Sequence, residues 1–344
     1  MIKILIVDDS AFMRQMLKRT INRDSELKTI ATAINGADAL RKIKEYEPDV
    51  VTLDIDMPVK DGLETLEEVI KLDKPLPVII LSALDTRDTV MQALELGAFD
   101  FIAKPSGKIS LNIDEIKEKL LKKIKAAHKS RTDDAKSPEI KDASVRKLPI
   151  NKNTNYPIIA IGSSSGGPKA LKKMLSSFPE DFPAGFIIVQ HMPAGFTTSL
   201  AKRLNDNSGL QVKEARENDT INPGQALVAP GDFHLTVNEQ QKVKLDQRPK
   251  KWGVRPCVDY MMSSLAPIFE ERIIGIILTG MGHDGAAGMK EIQQHNGYGI
   301  VEDKSTALVY GMPSAAIKAG AYNEVLPLPG IGKRLIDIVE RSSK

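Results

Sequence analysis

Residues 2–9 read IKILIVDD, a mostly apolar run that ends in two adjacent acids. Short runs of this kind are typical of strands that are buried on both faces of a parallel sheet. Similar runs recur further along the chain. The predicted strands are Ile2–Val7, Val50–Leu53, Val78–Leu81 and Phe99–Ala103, with a weaker one near Thr29–Ala33.

Helical patterns separate these strands, near residues 11–22, 37–46, 63–72, 87–96 and about 111–128. Regular alternation of strands and helices predicts a doubly wound, five-stranded parallel sheet of the flavodoxin-like α/β type. We assign residues 1–127 to this N-terminal domain.

The chain changes character after Ala127. Residues 128–155 are polar and charged, contain Pro138 and Pro149, and show no apolar period, which predicts a linker that is flexible in part. A second α/β domain, with a mainly parallel sheet, is predicted for residues 156–344. Its predicted strands are Ile158–Ile161, Phe186–Gln190, Ala226–Ala229, Ile273–Leu278 and a shorter Gly299–Glu302, and Val237–Asp246 predicts a hairpin strand.

Composition narrows the class of protein. A length of 344 residues favours two domains, and a net charge of +3 gives no argument for a nucleic-acid partner. Cys257 is the single cysteine, so an intrachain disulfide is excluded. The first apolar run is too short for a signal peptide, and no stretch approaches the roughly 20 apolar residues that span a bilayer. We therefore expect a soluble cytoplasmic protein.

Acids follow two of the predicted N-terminal strands. Asp8 and Asp9 follow the first strand, and Asp54 follows Val50–Leu53. The carboxyl ends of neighbouring strands converge in a doubly wound sheet, and clustered carboxylates repel unless a cation binds them. A few oxygens with room for water suit Mg²⁺ better than Ca²⁺. The alternative for any single acid is a helix N-cap.

Ser82 and Lys104 end two further strands and would face the same pocket. A hydroxyl and an ammonium beside clustered carboxylates can bind a phosphoryl group. The N-cap alternative explains one such residue better than it explains five at strand ends.

These residues resemble the response-regulator receiver family over about residues 1–125. The matching motifs are VDDS at 7–10, DIDMP at 54–58 with Asp61-Gly62, and Lys104-Pro105. The resemblance implies that Asp54 accepts a phosphoryl group from a histidine kinase. It also implies that Mg²⁺ is held by Asp8, Asp9, Asp54 and the backbone carbonyl of Asp56. The implied switch residues are Ser82, Phe101 and Lys104, and a cis bond is implied before Pro105.

A serine motif opens the second domain. The strand Ile158–Ile161 runs into GSSSGGP at residues 162–168, and a helical pattern follows at Ala170–Leu175. This fits G-x-S-x-G between a strand and a helix, with Ser164 at the exposed centre. A phosphate-binding turn and a plain turn with a serine cap remain open, although G-x-G-x-x-G and the P-loop ending are absent.

A base and a carboxylate are needed to activate a serine hydroxyl. His191 directly follows the strand Phe186–Gln190, as Ser164 follows its own strand, whereas an isolated loop histidine such as His234 or His283 is usually structural. Asp284 lies in TGMGHDGA at residues 279–286, whose backbone N–H groups are also candidates for an oxyanion hole. A loop-capping role for Asp284 is the alternative.

The second domain resembles the chemotaxis protein-glutamate methylesterase family over about residues 155–340. The matching motifs are IGSSSGG at 161–167, VQHMP at 189–193, APGDFH at 229–234, LTGMGHDG at 278–285 and YGMP at 310–313. One departure is Cys257 in RPCVD at 255–259, where the family often has Ser.

The resemblance implies a catalytic triad of Ser164, His191 and Asp284, with an oxyanion contribution from the Met281 backbone. The implied substrates are methylated glutamates on chemoreceptors, and the implied phosphodonor is the chemotaxis histidine kinase. Contact with a membrane would come only through the receptors, and the esterase domain would need no cofactor. The family's chemistry extends to deamidation of glutamine, which is expected to be slower or absent because ammonia is a poorer leaving group than methanol. The unphosphorylated receiver is expected to cover the esterase cleft.

Two other function classes predict features that this sequence lacks. A DNA-binding response regulator predicts a basic helix-turn-helix segment, whereas this C-terminal half is a long α/β pattern. A nucleotide-binding output domain predicts one of the phosphate-binding motifs that are absent.

Overall fold

A computed structural model describes residues 1–83, 86–104, 113–132 and 156–342. The chain divides into two units, Met1–Asp134 and Ala135–Lys344. Most of the predicted linker, residues 133–155, lies outside the described residues. No helix within the described ranges is long and apolar enough to cross a membrane.

The N-terminal unit contains a five-stranded sheet in which every pairing is parallel. Its strand order is β2-β1-β3-β4-β5. The order reverses at β1, which places the carboxyl ends of β1 and β3 side by side. This confirms the predicted doubly wound fold. The strands are β1 (Ile2–Val7), β2 (Leu27–Ala33), β3 (Val50–Asp54), β4 (Val78–Ser82) and β5 (Asp100–Ala103).

Five helices cover this sheet. Ser10 caps α1 through its side chain, and Asp61 and Glu64 form a capping box at α3. The last helix ends at Thr132, four residues beyond the predicted end, and its buried face continues through Ala127. The helices are α1 (Ala11–Ile21), α2 (Gly36–Tyr46), α3 (Gly62–Ile70), α4 (Arg87–Leu96) and α5 (Ile113–Thr132).

The C-terminal unit contains a seven-stranded sheet whose pairings are all parallel. A separate antiparallel hairpin is formed by β10 and β11. The sheet order is β14-β13-β12-β6-β7-β9-β8. The strands are β6 (Ile158–Ser163), β7 (Gly185–Gln190), β8 (Gln211–Glu214), β9 (Gln225–Val228), β10 (His234–Val237), β11 (Val243–Asp246), β12 (Ile273–Ile277), β13 (Tyr298–Glu302) and β14 (Glu324–Leu326).

Two edge strands were not predicted. β8 has four residues, three of them polar or charged and at least partly exposed, and β14 has three, of which only Glu324 is buried, so both lack a buried apolar run. The region 237–246, predicted as one hairpin strand, contains the end of β10, a turn that begins at Asn238, and β11. The Asn238 side chain accepts a hydrogen bond from the Lys242 N–H at 2.9 Å, and the strand pair forms on either side of this turn.

Helices pack on the C-terminal sheet around one apolar core. Ile158, Ile187, Leu265 and Ile277 are fully buried in it. These side chains pack the central strands β12, β6 and β7 into a close-packed interior. The helices are α6 (Gly167–Leu175), α7 (Phe196–Asp206), α8 (Val258–Phe269), α9 (Ala286–Gln294), α10 (Gly311–Lys318) and α11 (Leu328–Ser342), with a 3-10 turn at Glu270–Arg272.

Candidate active site

The carboxyl ends of three adjacent strands bring the predicted catalytic residues to one edge of the sheet. Ser164 follows β6, His191 follows β7, and the loop carrying Asp284 follows β12. The backbone connects these ends directly. The His191 N–H donates to the Ser163 carbonyl at 3.1 Å, and the Ser164 N–H donates to the Thr279 carbonyl at 3.0 Å.

His191 forms a close pair with the buried Asp284. His191 Nε2 lies 2.8 Å from Asp284 Oδ2, and the two side chains are 9% and 3% exposed. The carboxylate also accepts the N–H groups of Val258 at 2.7 Å and Asp259 at 3.0 Å, at the start of α8. Burial opposes ionisation, but His191 and these backbone N–H groups outweigh it and lower the pKa of Asp284 to about 2. The carboxylate is therefore charged at neutral pH.

The three consecutive serines have different environments. Ser163 is fully buried and donates its hydroxyl hydrogen to Gln190 Oε1 at 2.7 Å. Ser165 is 4% exposed, whereas Ser164 is partly exposed. Within the described residues, the hydrogen bonds of Ser164 involve only its backbone groups. Ser164 is therefore the serine whose hydroxyl is presented at the surface of the site.

A sharp turn presents Ser164. Gly166 caps α6 with φ +81°, a left-handed conformation that favours glycine. Gln190 Nε2 donates to the Ser164 carbonyl at 2.9 Å and so ties the turn to the end of β7. On the other side, a Cβ atom at Gly280 would lie 2.8 Å from the Ser164 Cβ, so only glycine permits this close approach.

The loop after β12 places Met281 beside the serine. The Gly280 N–H donates to the Val309 carbonyl at 2.9 Å, and the Gly280 carbonyl accepts the Met312 N–H at 2.8 Å. Met281 follows Gly280 directly, and within the described ranges its N–H has no protein acceptor. A backbone donor that is left unpaired near the nucleophile is what an oxyanion hole requires.

Cys257 and Asp259, whose roles the sequence did not reveal, support the Asp284 loop. The Cys257 thiol donates to Asp284 Oδ1 at 3.1 Å, and burial raises its pKa, so the thiol keeps its proton. Asp259 Oδ1 accepts the N–H groups of Gly285 and Gly288, each at 2.9 Å. These residues lie about 25 positions before the loop, and nothing in their local pattern predicts the contact.

Among the described residues, the rings of the other loop histidines form no hydrogen bond with the Asp284 carboxylate. His283 is exposed and stacks edge-on with Trp252 at 4.2 Å between ring centroids. His234 is fully buried, contacts the Pro249 carbonyl through Nε2 at 3.2 Å, and packs edge-on against Tyr260. Burial lowers the pKa of His234, which fits a neutral structural residue.

The N-terminal unit has its own polar cluster. Carboxylate oxygens of Asp8, Asp9 and Asp54 lie within 4.8 Å of one another. Lys104 Nζ lies 3.0 Å from Asp8 Oδ2 and 2.6 Å from Asp54 Oδ2. Burial raises the pKa of Asp54, with the Asp8 charge acting in the same direction and the Lys104 ion pair in the opposite one. Asp8 and Asp54 are buried and Asp9 is exposed, an arrangement that fits a hard divalent cation with access to water.

The remaining predicted residues lie around this cluster. The Ser82 hydroxyl donates to the Ala83 carbonyl at 2.8 Å and shares a short hydrogen bond with Thr86. Phe101 is buried under α5, where Lys123 Nζ lies 5.5 Å from the centre of its ring. Asp56 lies in the exposed bend after β3, two residues beyond Asp54. The predicted cis bond before Pro105 falls outside the described residues.

Comparison with protein families finds two matches. The family model described as CheB methylesterase matches residues 159–335. The family model described as response regulator receiver domain matches residues 4–114.

Known proteins are similar over nearly the full length. The protein-glutamate methylesterase/protein-glutamine glutaminase of Symbiobacterium thermophilum is 43% identical over 350 residues, covering 96% of this chain and 95% of that protein. Its counterpart in Pyrococcus horikoshii is 44% identical, covering 98% of this chain and 94% of that protein. The crystal structure of the Thermotoga maritima CheB methylesterase catalytic domain is 43% identical, with a TM-score of 0.53. It covers 54% of this chain and 100% of that chain.

Proposed function

Because the chain belongs to the CheB methylesterase family, we propose that it hydrolyses glutamate γ-methyl esters of chemoreceptors through Ser164, His191 and Asp284. The observation that carries the assignment of residues is the His191–Asp284 pair, 2.8 Å apart, at the strand end beside the one partly exposed serine of the turn. The names of the relatives support the substrate class, and the geometry supports the roles of the residues.

The contact with Asp284 determines which nitrogen of His191 acts as the base. A carboxylate only accepts hydrogen bonds, so Nε2 carries a proton and Nδ1 has a free lone pair. Nδ1 removes the proton of Ser164 as its oxygen attacks the ester carbonyl carbon. The protonated imidazole then returns this proton to the methoxy group, which leaves as methanol. Water then attacks the acyl carbon while Nδ1 accepts its proton. The bond to the Ser164 oxygen breaks, which releases glutamate and regenerates Ser164.

Two features stabilise the charge that develops on the carbonyl oxygen. The Met281 N–H is free to donate to it, and the N-terminus of α6 provides a partial positive charge near Ser164. Asp284 stabilises the imidazolium form of His191 and stays ionised, because its pKa is about 2. The charges on the carbonyl oxygen and on the imidazole develop only in the transition state. The groups that stabilise them therefore act more strongly there than in the ground state, as catalysis requires.

The receiver domain regulates this reaction. We propose that an Asp54 oxygen takes the phosphoryl group from a histidine kinase, and that Asp8, Asp9, Asp54 and the Asp56 carbonyl hold Mg²⁺. When bound, the ion supplies positive charge that offsets the carboxylates and the phosphoryl oxygens. Lys104 already contacts Asp54 and would pair with a phosphoryl oxygen. Ser82 and Phe101 would respond to the new charge by moving the hydroxyl and the ring.

A second activity on the same site is supported by the names of the relatives, which include protein-glutamine glutaminase. The serine attack and the oxyanion are the same for an amide as for an ester. The difference is that ammonia must leave, which requires full proton donation from His191. We therefore propose slower deamidation of receptor glutamines by the same triad.

The function is tested on receptor membranes with the full-length protein. Methanol is quantified, and receptor peptides are examined by mass spectrometry for loss of a methyl group from glutamate. Receptors with unmethylated glutamate are the matched control and should release no methanol. Receptors with glutamine at the same sites report deamidation. If no methanol is released from methylated receptors with or without acetyl phosphate, the proposed substrate is wrong.

A further inference from the structure

Glu302 is a buried carboxyl group that the proposed mechanism does not use. It is the last residue of β13, and none of its surface is exposed. Because β13 pairs with β12, Glu302 lies at the same end of the sheet as the loop that carries Met281. A fully buried acid is costly unless its oxygens find partners, so its contacts indicate its role.

The two oxygens of Glu302 differ. Oε2 accepts the Thr279 N–H at 2.7 Å. Oε1 is buried and has no hydrogen-bond partner among the described residues. An ionised carboxylate would leave this second oxygen charged and unpaired, whereas a protonated carboxyl would leave it unpaired but neutral, which costs much less in a buried position.

Thr279, the residue that Glu302 holds, connects to the nucleophile turn. Its carbonyl accepts the Ser164 N–H at 3.0 Å, and its hydroxyl donates to the Ser165 carbonyl at 2.8 Å. The same hydroxyl accepts the Val309 N–H at 2.9 Å. Glu302 therefore anchors a residue that fixes the backbone of Ser164 and lies two positions before Met281.

The surroundings of Glu302 favour its neutral form. Burial raises the pKa of Glu302 to about 7, and the adjacent Asp303 carboxylate also raises it. The Thr279 N–H acts in the opposite direction, as does the Thr306 hydroxyl, which is close to the carboxyl but outside hydrogen-bonding geometry. Within the described ranges no lysine or arginine forms an ion pair with Glu302. On the neighbouring strand β14, Glu324 pairs with Arg334 of α11, and the phenol oxygen of Tyr310, on the loop beyond Thr306, is buried.

We propose that Glu302 is a positioning residue for ester hydrolysis, whose neutral carboxyl anchors Thr279 and whose ionisation slows the reaction. The inference rests on the proposed esterase function. The neutral group accepts the Thr279 N–H without adding charge. The ionised group adds a negative charge behind the loop that must stabilise an oxyanion, and such charges interact strongly in a buried site.

The test compares the wild-type chain with Glu302→Gln. The amide oxygen can still accept the Thr279 N–H, and the side chain is neutral at every pH. We measure kcat/KM for methanol release from methylated receptor membranes between about pH 5.5 and pH 8.5. Both proteins carry the same receiver domain, so its own pH dependence cancels in the ratio of variant to wild type.

We expect this ratio to rise from about 1 in acid to roughly 3- to 30-fold in alkali. The midpoint should lie near pH 7, where Glu302 ionises. Glu324→Gln is the matched control. It makes the same chemical change to a buried acid on the neighbouring strand β14, and this acid is paired with Arg334 of α11. The ratio of Glu324→Gln to wild type should not vary with pH. A residue with only a structural role would change the rate equally at every pH.

A flat ratio for Glu302→Gln, with active wild-type protein, would overturn the inference. If the amide variant does not fold, Glu302→Met takes its place. It should be slower than wild type in acid because Thr279 loses its acceptor, and it should lack the alkaline decline. A Glu302→Met profile parallel to wild type also overturns the inference. Failure of the wild-type chain to release methanol would instead count against the proposed function.

Discussion

Replacing Asp284 by asparagine removes one charge and keeps the shape of the side chain. Oδ2 accepts hydrogen bonds from His191 Nε2 and the Val258 N–H, and Oδ1 accepts them from the Asp259 N–H and the Cys257 thiol. All four partners are donors when Nε2 carries its proton. The single oxygen of Asn accepts from one side only, so its NH₂ group must face donors on the other.

The size of the effect follows from these contacts. The pKa of Asp284 falls from 3.8 to about 2 in the folded protein. At about 1.36 kcal/mol for each pKa unit, the ionised form stabilises the fold by an amount on the order of 2 kcal/mol, and Asp284→Asn loses this stabilisation. If the NH₂ group faces Nε2, the His191 proton moves to Nδ1, the atom that must accept from Ser164. We then expect kcat to fall by roughly 10³- to 10⁴-fold.

Two assays measure these losses: methanol release from methylated receptors and urea unfolding as a function of pH. Because the folded pKa is depressed, the stabilisation is present above about pH 4 and is lost as the pH falls towards 2. The stability difference between wild type and Asp284→Asn should therefore shrink over that range. Asp206→Asn, at the exposed end of α7, is the control and should change neither assay. A kcat within tenfold of wild type would refute the assigned role of Asp284.

Three further predictions concern the receiver domain, its regulation and Cys257. Labelling of Asp54 by acetyl phosphate should require Mg²⁺ and be slowed by Asp9→Ala. Undiminished labelling in EDTA would show that phosphorylation does not need the metal. A fragment of residues 156–344 should hydrolyse receptor esters without phosphorylation and gain nothing from acetyl phosphate, whereas full-length Asp54→Asn should stay at the basal rate. A fragment no faster than the unphosphorylated full chain would contradict an inhibitory receiver. Cys257→Ser keeps a donor to Asp284 and should retain activity, while Cys257→Val should lower kcat by roughly 5- to 50-fold. Equal kcat values for the two variants would argue against a role for this hydrogen bond in catalysis.

Much of the fold is readable from the sequence because its central strands are buried. An apolar run such as Ile2–Val7 or Ile158–Ile161 has few alternatives to a central parallel strand, and the residue after it then lies at the ligand-binding edge. This is why the positions of Asp54, Ser164 and His191 in the structure agree with those expected from the sequence. The edge strands β8 and β14 escaped prediction because they are short and half exposed.

The supporting contacts of the site could not be predicted, because they join residues that are distant in sequence. Gln190 bonds to Ser163 and Ser164 across two strands, and Asp259 caps a turn that follows it by 25 residues or more. Glu302 looks like an ordinary strand residue until its pairing with the end of β12 is known. Such contacts depend on register, which apolar periodicity alone does not specify.

The central claim is that Ser164 is the nucleophile for receptor methyl esters. It is tested most directly by methanol release from methylated receptor membranes with full-length Ser164→Ala, Ser163→Ala and Ser165→Ala, each assayed with acetyl phosphate. We predict that Ser164→Ala lowers turnover by roughly 10⁴- to 10⁶-fold, while the other two variants retain the greater part of the wild-type rate. Near-wild-type methanol release by Ser164→Ala, with loss of activity in Ser163→Ala or Ser165→Ala, would contradict the account.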